Sequence, residues 1–340
     1  RVVVEDSESY RLGLHRLRAF GEIDPYLRQD PDISALNREC IQLNRRCLHY
    51  LTDNSAAAQA ALPDNPDYWH SYRALLEVTP LARLVEEIEI SVQQDLIQAT
   101  RLWAFREIST KATLDIRDVH FQLKAHRRLL AESNFLTDKM IYLATVSISL
   151  PSINVLMAQR ATKPFNVAQT QLLEELLQPL SIAEHSLRRA LRGEFQYFLA
   201  KADTYPDEDP LLVEVALADF PKIYTYVAER SERSWSEYWS EGLDVWADVP
   251  LNISEVWYSW NTYTTNIRYI DVHLSLLRAL REIYEGRTNP GIPGLSPPAR
   301  WHWQWHDDTE ELCLEAGDIH PSLADEALIM CVEYLGEWAA

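Results

Sequence analysis

The stretch WHWQWHDDTEELCLEAG, Trp301–Gly317, decides how the last part of this 340-residue chain folds. Trp301, Trp303 and Trp305 alternate with His302, Gln304 and His306. An alternation of two is the period of a strand, with tryptophans on one face and polar groups on the other. HDDTE then reads as a turn, Leu312-Cys313-Leu314 resumes the alternation, GDIHPSLAD turns again, and ALIMCVEYL (Ala327–Leu335) is rich in apolar residues. The pattern predicts a three-stranded antiparallel meander. It also decides a question of chemistry. On a helix, His302 and His306 would sit one turn apart and could share an ion. On a strand they stand about 13 Å apart at ~3.3 Å per residue, too far for one ion. No metal and no cofactor is therefore expected, and the tryptophan face is expected to pack on the rest of the molecule.

The same register bears on the cysteines. Cys313 and Cys331 are equidistant from residue 322, inside GDIHPSLAD, so a hairpin turning there sets them opposite each other, within bonding range. Cys40 and Cys47 are the other pair. One continuous helix would hold them about 10.5 Å apart at 1.5 Å per residue, so a bond needs the helix to break between them. Two sequence-local pairs favour an oxidising compartment, with four buried thiols as the alternative.

Upstream, the chain reads as successive helices. Nine glycines in 340 residues leave few positions for tight turns or phosphate loops, and no GxGxxG, Walker A, GxSxG or HExxH string is present. Helical spacing covers Ser7–Phe20, Asp32–Leu51, a short run at Tyr68–Leu76, Pro80–Ile108, a segment to about Ser133, Asn134–Gln159 and Ala168–Ala202. Beyond TYPDEDP (Thr204–Pro210), helices are expected over Leu211–Trp239, interrupted at Pro221, and over Ser254–Gly286. Met140–Gln159 is 20 residues without a charge, long enough to span a membrane. Its Ser, Thr and Asn content and Pro151 favour a buried helix with a kink or break at the proline. From Gly286 onward, glycines and prolines mark a loop. The expected fold is mainly α, an irregular multi-helix domain closed by a small antiparallel sheet. It divides into a near-neutral helical body (1–203), an acidic, aromatic-rich helical part of the same unit (204–286), and a loop with the sheet (287–340).

Charge follows that division. The net charge is −19, and of this residues 203–340 carry −18, from 26 acidic and 8 basic side chains. Such a surface repels phosphate backbones and anionic headgroups, so nucleic acid is excluded as a partner; the acidic face suits solubility or a basic protein partner. The chain starts RVVVEDSESY, which reads as the trailing edge of an upstream signal or membrane anchor.

Aromatic density singles out two more segments. SERSWSEYWSEG places Trp235 and Trp239 one turn apart, and EVWYSWNTY adds Trp257 and Trp260. Beside Glu237 and Glu241 these could grip a sugar or a peptide, although core packing explains the same residues. Glu194, following Gly193 in LRRALRGEFQYF, is the one candidate general acid; a salt bridge to a neighbouring arginine is its ordinary use. Asn252-Ile253-Ser254 matches a glycosylation acceptor, relevant only in a eukaryotic secretory setting.

Several landmarks in order resemble a set of uncharacterised, N-terminally membrane-anchored envelope proteins of Gram-negative bacteria. They are the C-x6-C pair followed by LHYL, PDYWHSYRALLE, LTDKMIYLA, LRGEFQYF, LLRALREIYEG leading into GIPGLSPP, and the closing tryptophan-rich strand. The resemblance implies a mostly helical periplasmic domain behind an upstream anchor and brings no activity or site. The expectation that follows is a non-enzymatic envelope protein with a protein-interaction or accessory role. Cell-wall glycan binding or hydrolysis, and carriage of a small ligand, stand beside it.

Overall fold

The computed structural model describes residues 36, 38–40, 43–63, 66–77, 90–111, 113–160, 164–202, 210–240, 254–288, 294–298, 300–317 and 329–336. Helices dominate: α1 (Arg45–Asp53), α2 (Ser55–Ala61), α3 (Pro66–Leu76), α4 (Ile90–Lys111), α5 (Ile116–Glu132), α6 (Leu136–Arg160), α7 (Val167–Leu176), α8 (Ile182–His185), α9 (Arg188–Ala202), α10 (Pro210–Glu232), α11 (Trp235–Ser240) and α12 (Ser254–Tyr284). Strands β1 (Trp301–His306), β2 (Glu311–Ala316) and β3 (Ile329–Glu333) form one antiparallel sheet in the order β1-β2-β3.

The meander follows its sequence pattern, with β3 described over Ile329–Glu333 within the expected Ala327–Leu335. Trp303 pairs with Leu314, Trp305 with Leu312, and Cys313 with Cys331. Trp301, Leu312 and Leu314 are at most 1% exposed and join the main core. Both disulfides are formed, Cys313–Cys331 across the hairpin and Cys40–Cys47 with a Cα separation of 4.8 Å. The second bond answers the helix-length objection directly. The helical run expected over Asp32–Leu51 breaks at Leu43–Asn44, and Asn44 caps a new helix by accepting from the Cys47 N–H at 3.0 Å. An asparagine side chain satisfying an orphan N–H is what lets the chain restart there.

Helix α6 is the hub. By length and composition alone it could cross a membrane, yet it is enclosed by α4, α5, α9 and α12, with residues along its whole length buried. It runs on through Pro151 without a break. Two further sequence expectations need correcting. Ala168–Ala202 is three helices, because Pro179 ends one run and Ser181 starts another through a reciprocal capping box with Glu184. Helix α10 continues through Pro221 and ends instead at Arg233–Ser234. The expected helix from Pro80 is described only from Ile90. Ser7–Phe20 lies outside the described residues.

The Gly193-Glu194 pair acquires a structural meaning. A Cβ on Gly193 would fall 1.8 Å from the Asn134 carbonyl oxygen, so α9 lies against the loop before α6 at a distance only glycine permits. Glu194 then accepts the Leu136 N–H at 3.0 Å, capping α6, and the Arg189 Nε donates to the Asn134 side chain at 2.7 Å. Glu194 is thus a helix cap, where a carboxylate also complements the helix dipole.

The sheet is tied back to the helical body by polar contacts. Arg45 on α1 donates to Glu310 at 2.6 Å and to the Tyr334 carbonyl at 2.7 Å, while its backbone N–H donates to Glu333. Asn154 on α6 donates to the Glu333 carbonyl at 2.7 Å and accepts from the Tyr284 hydroxyl at 3.0 Å.

Candidate functional site

Helices α3, α4 and α5 line an open cleft of about 530 Å³. That falls within the range of pockets that take a drug-sized ligand or a few peptide side chains. The sequence dictates its walls by helical spacing. On α3, Trp69 and Arg73 are four apart; on α4, Trp103 and Arg106 are three apart; on α5, Asp118, Phe121 and Gln122 share one face. Each triplet or pair therefore stands on one side of its helix. A satellite apolar cluster behind them, with Tyr68, Tyr72, Leu75, Leu76, Leu96, Ala99, Ala125 and Leu129, seats α3 on the other two helices.

The rims are cationic and aromatic. The Arg73 guanidinium lies 4.5 Å from the Phe121 ring centroid, and that of Arg106 lies 4.9 Å from the Trp69 centroid. Among the described residues neither has a carboxylate partner. By contrast Arg45, Arg46, Arg117, Arg127, Arg160, Arg188, Arg281 and Arg287 all pair with carboxylates. Arg189 and Arg278 likewise bond to neutral groups, so what distinguishes Arg73 and Arg106 is that both stack on rings lining one cleft.

The floor is polar and buried. Tyr72 Oη lies 3.1 Å from Thr100 Oγ1, 3.3 Å from Gln122 Oε1 and 3.4 Å from His126 Nε2. Burial pushes the Tyr72 phenol far above its ordinary range and pulls the His126 imidazole down to about 3. Both are neutral at physiological pH, with His126 Nδ1 unpartnered among the described residues. Of the two guanidiniums above this floor, Arg73 is exposed and Arg106 half-buried, so water screens part of the pull they exert on an anion. Glu107, buried, and Asp118 also border the cleft.

The residues singled out from sequence lie elsewhere. Trp239 is fully buried and packs edge-on against Trp301 at 5.4 Å, with Trp235 5.9 Å from Trp239 and 6.1 Å from Trp301. Two segments read separately, the α11 tryptophans and the first strand, therefore meet in one core cluster. Glu237 is exposed and closes a capping box, accepting from the Ser234 N–H at 2.9 Å. Trp257 and Trp260 lie on the first turns of α12; Glu241 and the Asn252 acceptor lie outside the described residues. Trp303 is half-buried, and its indole N–H holds the Leu295 carbonyl at 2.8 Å.

The cleft has no counterpart in those expectations, although one signal was available: an aromatic residue and an arginine one turn apart, twice, on successive helices. No family model matches the chain, and neither the curated proteins nor the solved structures contain a match.

Proposed function

We propose that the protein is a non-enzymatic binding protein of the cell envelope, and that the α3–α4–α5 cleft is its recognition site for a flat group carrying negative charge. The observation that supports this reading is the pair Arg73 and Arg106, stacked on Phe121 and Trp69 without carboxylate partners among the described residues. Guanidinium forks are suited to carboxylate and phosphate, and the rings offer a face to a planar neighbour. The ligand is either a small molecule or a side-chain group at the tip of a partner protein. The two disulfides fit an oxidising, extracytoplasmic compartment. Placement in the periplasm behind an anchor rests on the resemblance described above.

A thermal-shift screen tests the cleft. Each aromatic carboxylate is paired with its neutral amide, so that shape is constant and charge alone varies. The acids are expected to raise the melting temperature and the amides to leave it unchanged, with the effect lost in Arg106→Ala. Equal response to acids and amides, or acid binding that survives in Arg73→Ala/Arg106→Ala, overturns the reading.

A further inference from the structure

The outer face of the sheet carries a second constellation, remote in sequence from the cleft and independent of the reading given to it. The strand register puts Gln304, Cys313 and Cys331 in one row across the sheet, and His306, Glu311 and Glu333 in the next. The imidazole of His306 and the sulfurs of Cys313 and Cys331 lie within 4.8 Å of one another. We infer that this face is a thiol-gated site for a thiophilic cation of the Zn2+ or Cu+ class, closed as a disulfide and open as a ligand set of one imidazole and two thiolates.

The ligand chemistry carries the choice of ion. Imidazole nitrogen with two thiolates suits soft and borderline d10 cations and is a poor match for Mg2+ or Ca2+. Three protein ligands leave a fourth position, which water reaches from the side where His306 and Cys331 are exposed; Cys313 itself is buried. Joined to each other, the sulfurs offer no thiolate. Parted to roughly 3.7 Å, the edge of a tetrahedron with ~2.3 Å metal–sulfur bonds, they bracket an ion that His306 also reaches.

Opening requires two electrons, supplied by an external dithiol. Its thiolate attacks one sulfur and displaces the other as thiolate; its second thiol resolves the mixed disulfide and leaves as a cyclic or protein disulfide. Two protons pass from the dithiol to Cys313 and Cys331, and metal binding later releases them.

Access separates this bond from the other one. Cys331 is exposed at the sheet edge although its partner Cys313 is buried, whereas Cys40 and Cys47 are both 0% exposed, within the core around α1. Exchange depends on reaching a sulfur, so a reductant acting on the folded protein meets Cys313–Cys331 first. The ligand frame outlasts the bond, because the strand ladder and the buried Leu312, Leu314 and Val332 on the opposite face hold the strands in register. Arg45 already neutralises part of Glu310 and Glu333, while Glu311, directly opposite His306, adds a negative charge beside the ion.

The test uses the folded protein, reduced by a phosphine, with Co2+ as the probe. Alkylation and peptide mass mapping establish which cysteines have opened. Reduced protein is expected to take one equivalent of Co2+ with thiolate charge-transfer and tetrahedral d–d bands, which Zn2+ bleaches; oxidised protein gives neither. His306→Ala is expected to weaken binding roughly tenfold or more, and Gln304→Ala to leave it unchanged. If the phosphine opens both disulfides, Cys313→Ser/Cys331→Ser isolates the contribution of the other pair. The inference falls if alkylation shows Cys313 and Cys331 free and no bands form. It falls equally if the bands persist in the double serine variant or ignore His306→Ala.

Discussion

Gly193→Ala sets two physical effects against each other with opposite signs. In an isolated helix the change is favourable by roughly 0.5–1 kcal/mol, because alanine loses less backbone entropy than glycine. In this fold the added Cβ would sit 1.8 Å from the Asn134 carbonyl oxygen, against the 3.4 Å or more of an ordinary contact, so about 1.6 Å of separation must open. Overpacking of that kind costs about 1–3 kcal/mol. Moving α9 away also stretches Glu194 from the Leu136 N–H and Arg189 from Asn134, at roughly 1 kcal/mol each. The net expectation is a loss of about 2–4 kcal/mol, read as a lower urea midpoint at unchanged slope by far-UV circular dichroism. Because the obstructing atom is backbone, Asn134→Ala does not rescue the variant. A midpoint equal to or above that of the parent refutes the close approach of α9 to α6.

Other outcomes follow from the same structure. Glu194→Ala is expected to cost about 1 kcal/mol through loss of the α6 cap, and Glu194→Gln, which keeps an acceptor, clearly less; identical melts for the two refute the capping role. Trp239→Ala is expected to cost about 3–5 kcal/mol. Trp239→Phe should cost far less, because the indole N–H has no partner among the described residues; equal losses would show that the N–H matters. Burial holds His126 at about 3 and His273 at about 4, so between those values and 6.5 only the unfolded chain takes up the protons. Stability therefore falls as pH drops from 6.5 toward 4, and His126→Gln should flatten that limb by up to about 3 kcal/mol. Parallel pH profiles for parent and variant would refute a neutral buried His126. Finally, acid quench and alkylation in cells should find both cysteine pairs bonded; four free thiols would remove the support for an extracytoplasmic setting.

What was legible in the sequence was what local pattern determines. The alternation of Trp301–His306 specifies a strand by itself, and two cysteines equidistant from a turn specify a register. Helix interiors carried the same clarity, their ends less so. Pro179 and the Ser181–Glu184 box mark a break that apolar spacing alone runs across, while Pro151 and Pro221 mark none, because surrounding helices offset the missing hydrogen bond. The cleft was illegible for a different reason. Trp69, Arg106 and Phe121 come from three helices, and only the packing of α3 on the satellite cluster makes them neighbours. Trp239 was left between core packing and binding for the converse reason: its partner Trp301 lies about sixty residues on, so nothing local distinguished a core ring from a binding one.

The contacts of Arg45 have a consequence for how such a chain is made. Its bonds to Glu310, Glu333 and Tyr334 close a loop of almost 290 residues, whereas the disulfides close loops of 7 and 18. A chain emerging from its N-terminal side can oxidise Cys40–Cys47 within a turn or two of synthesis, yet α1 must wait for nearly everything else before its guanidinium is satisfied. Loop closure on that scale is entropically cheap to extend but slow to find. Until β3 arrives, the surface of α1 that will meet it stays open, which is the interval in which a holding factor would have its purchase.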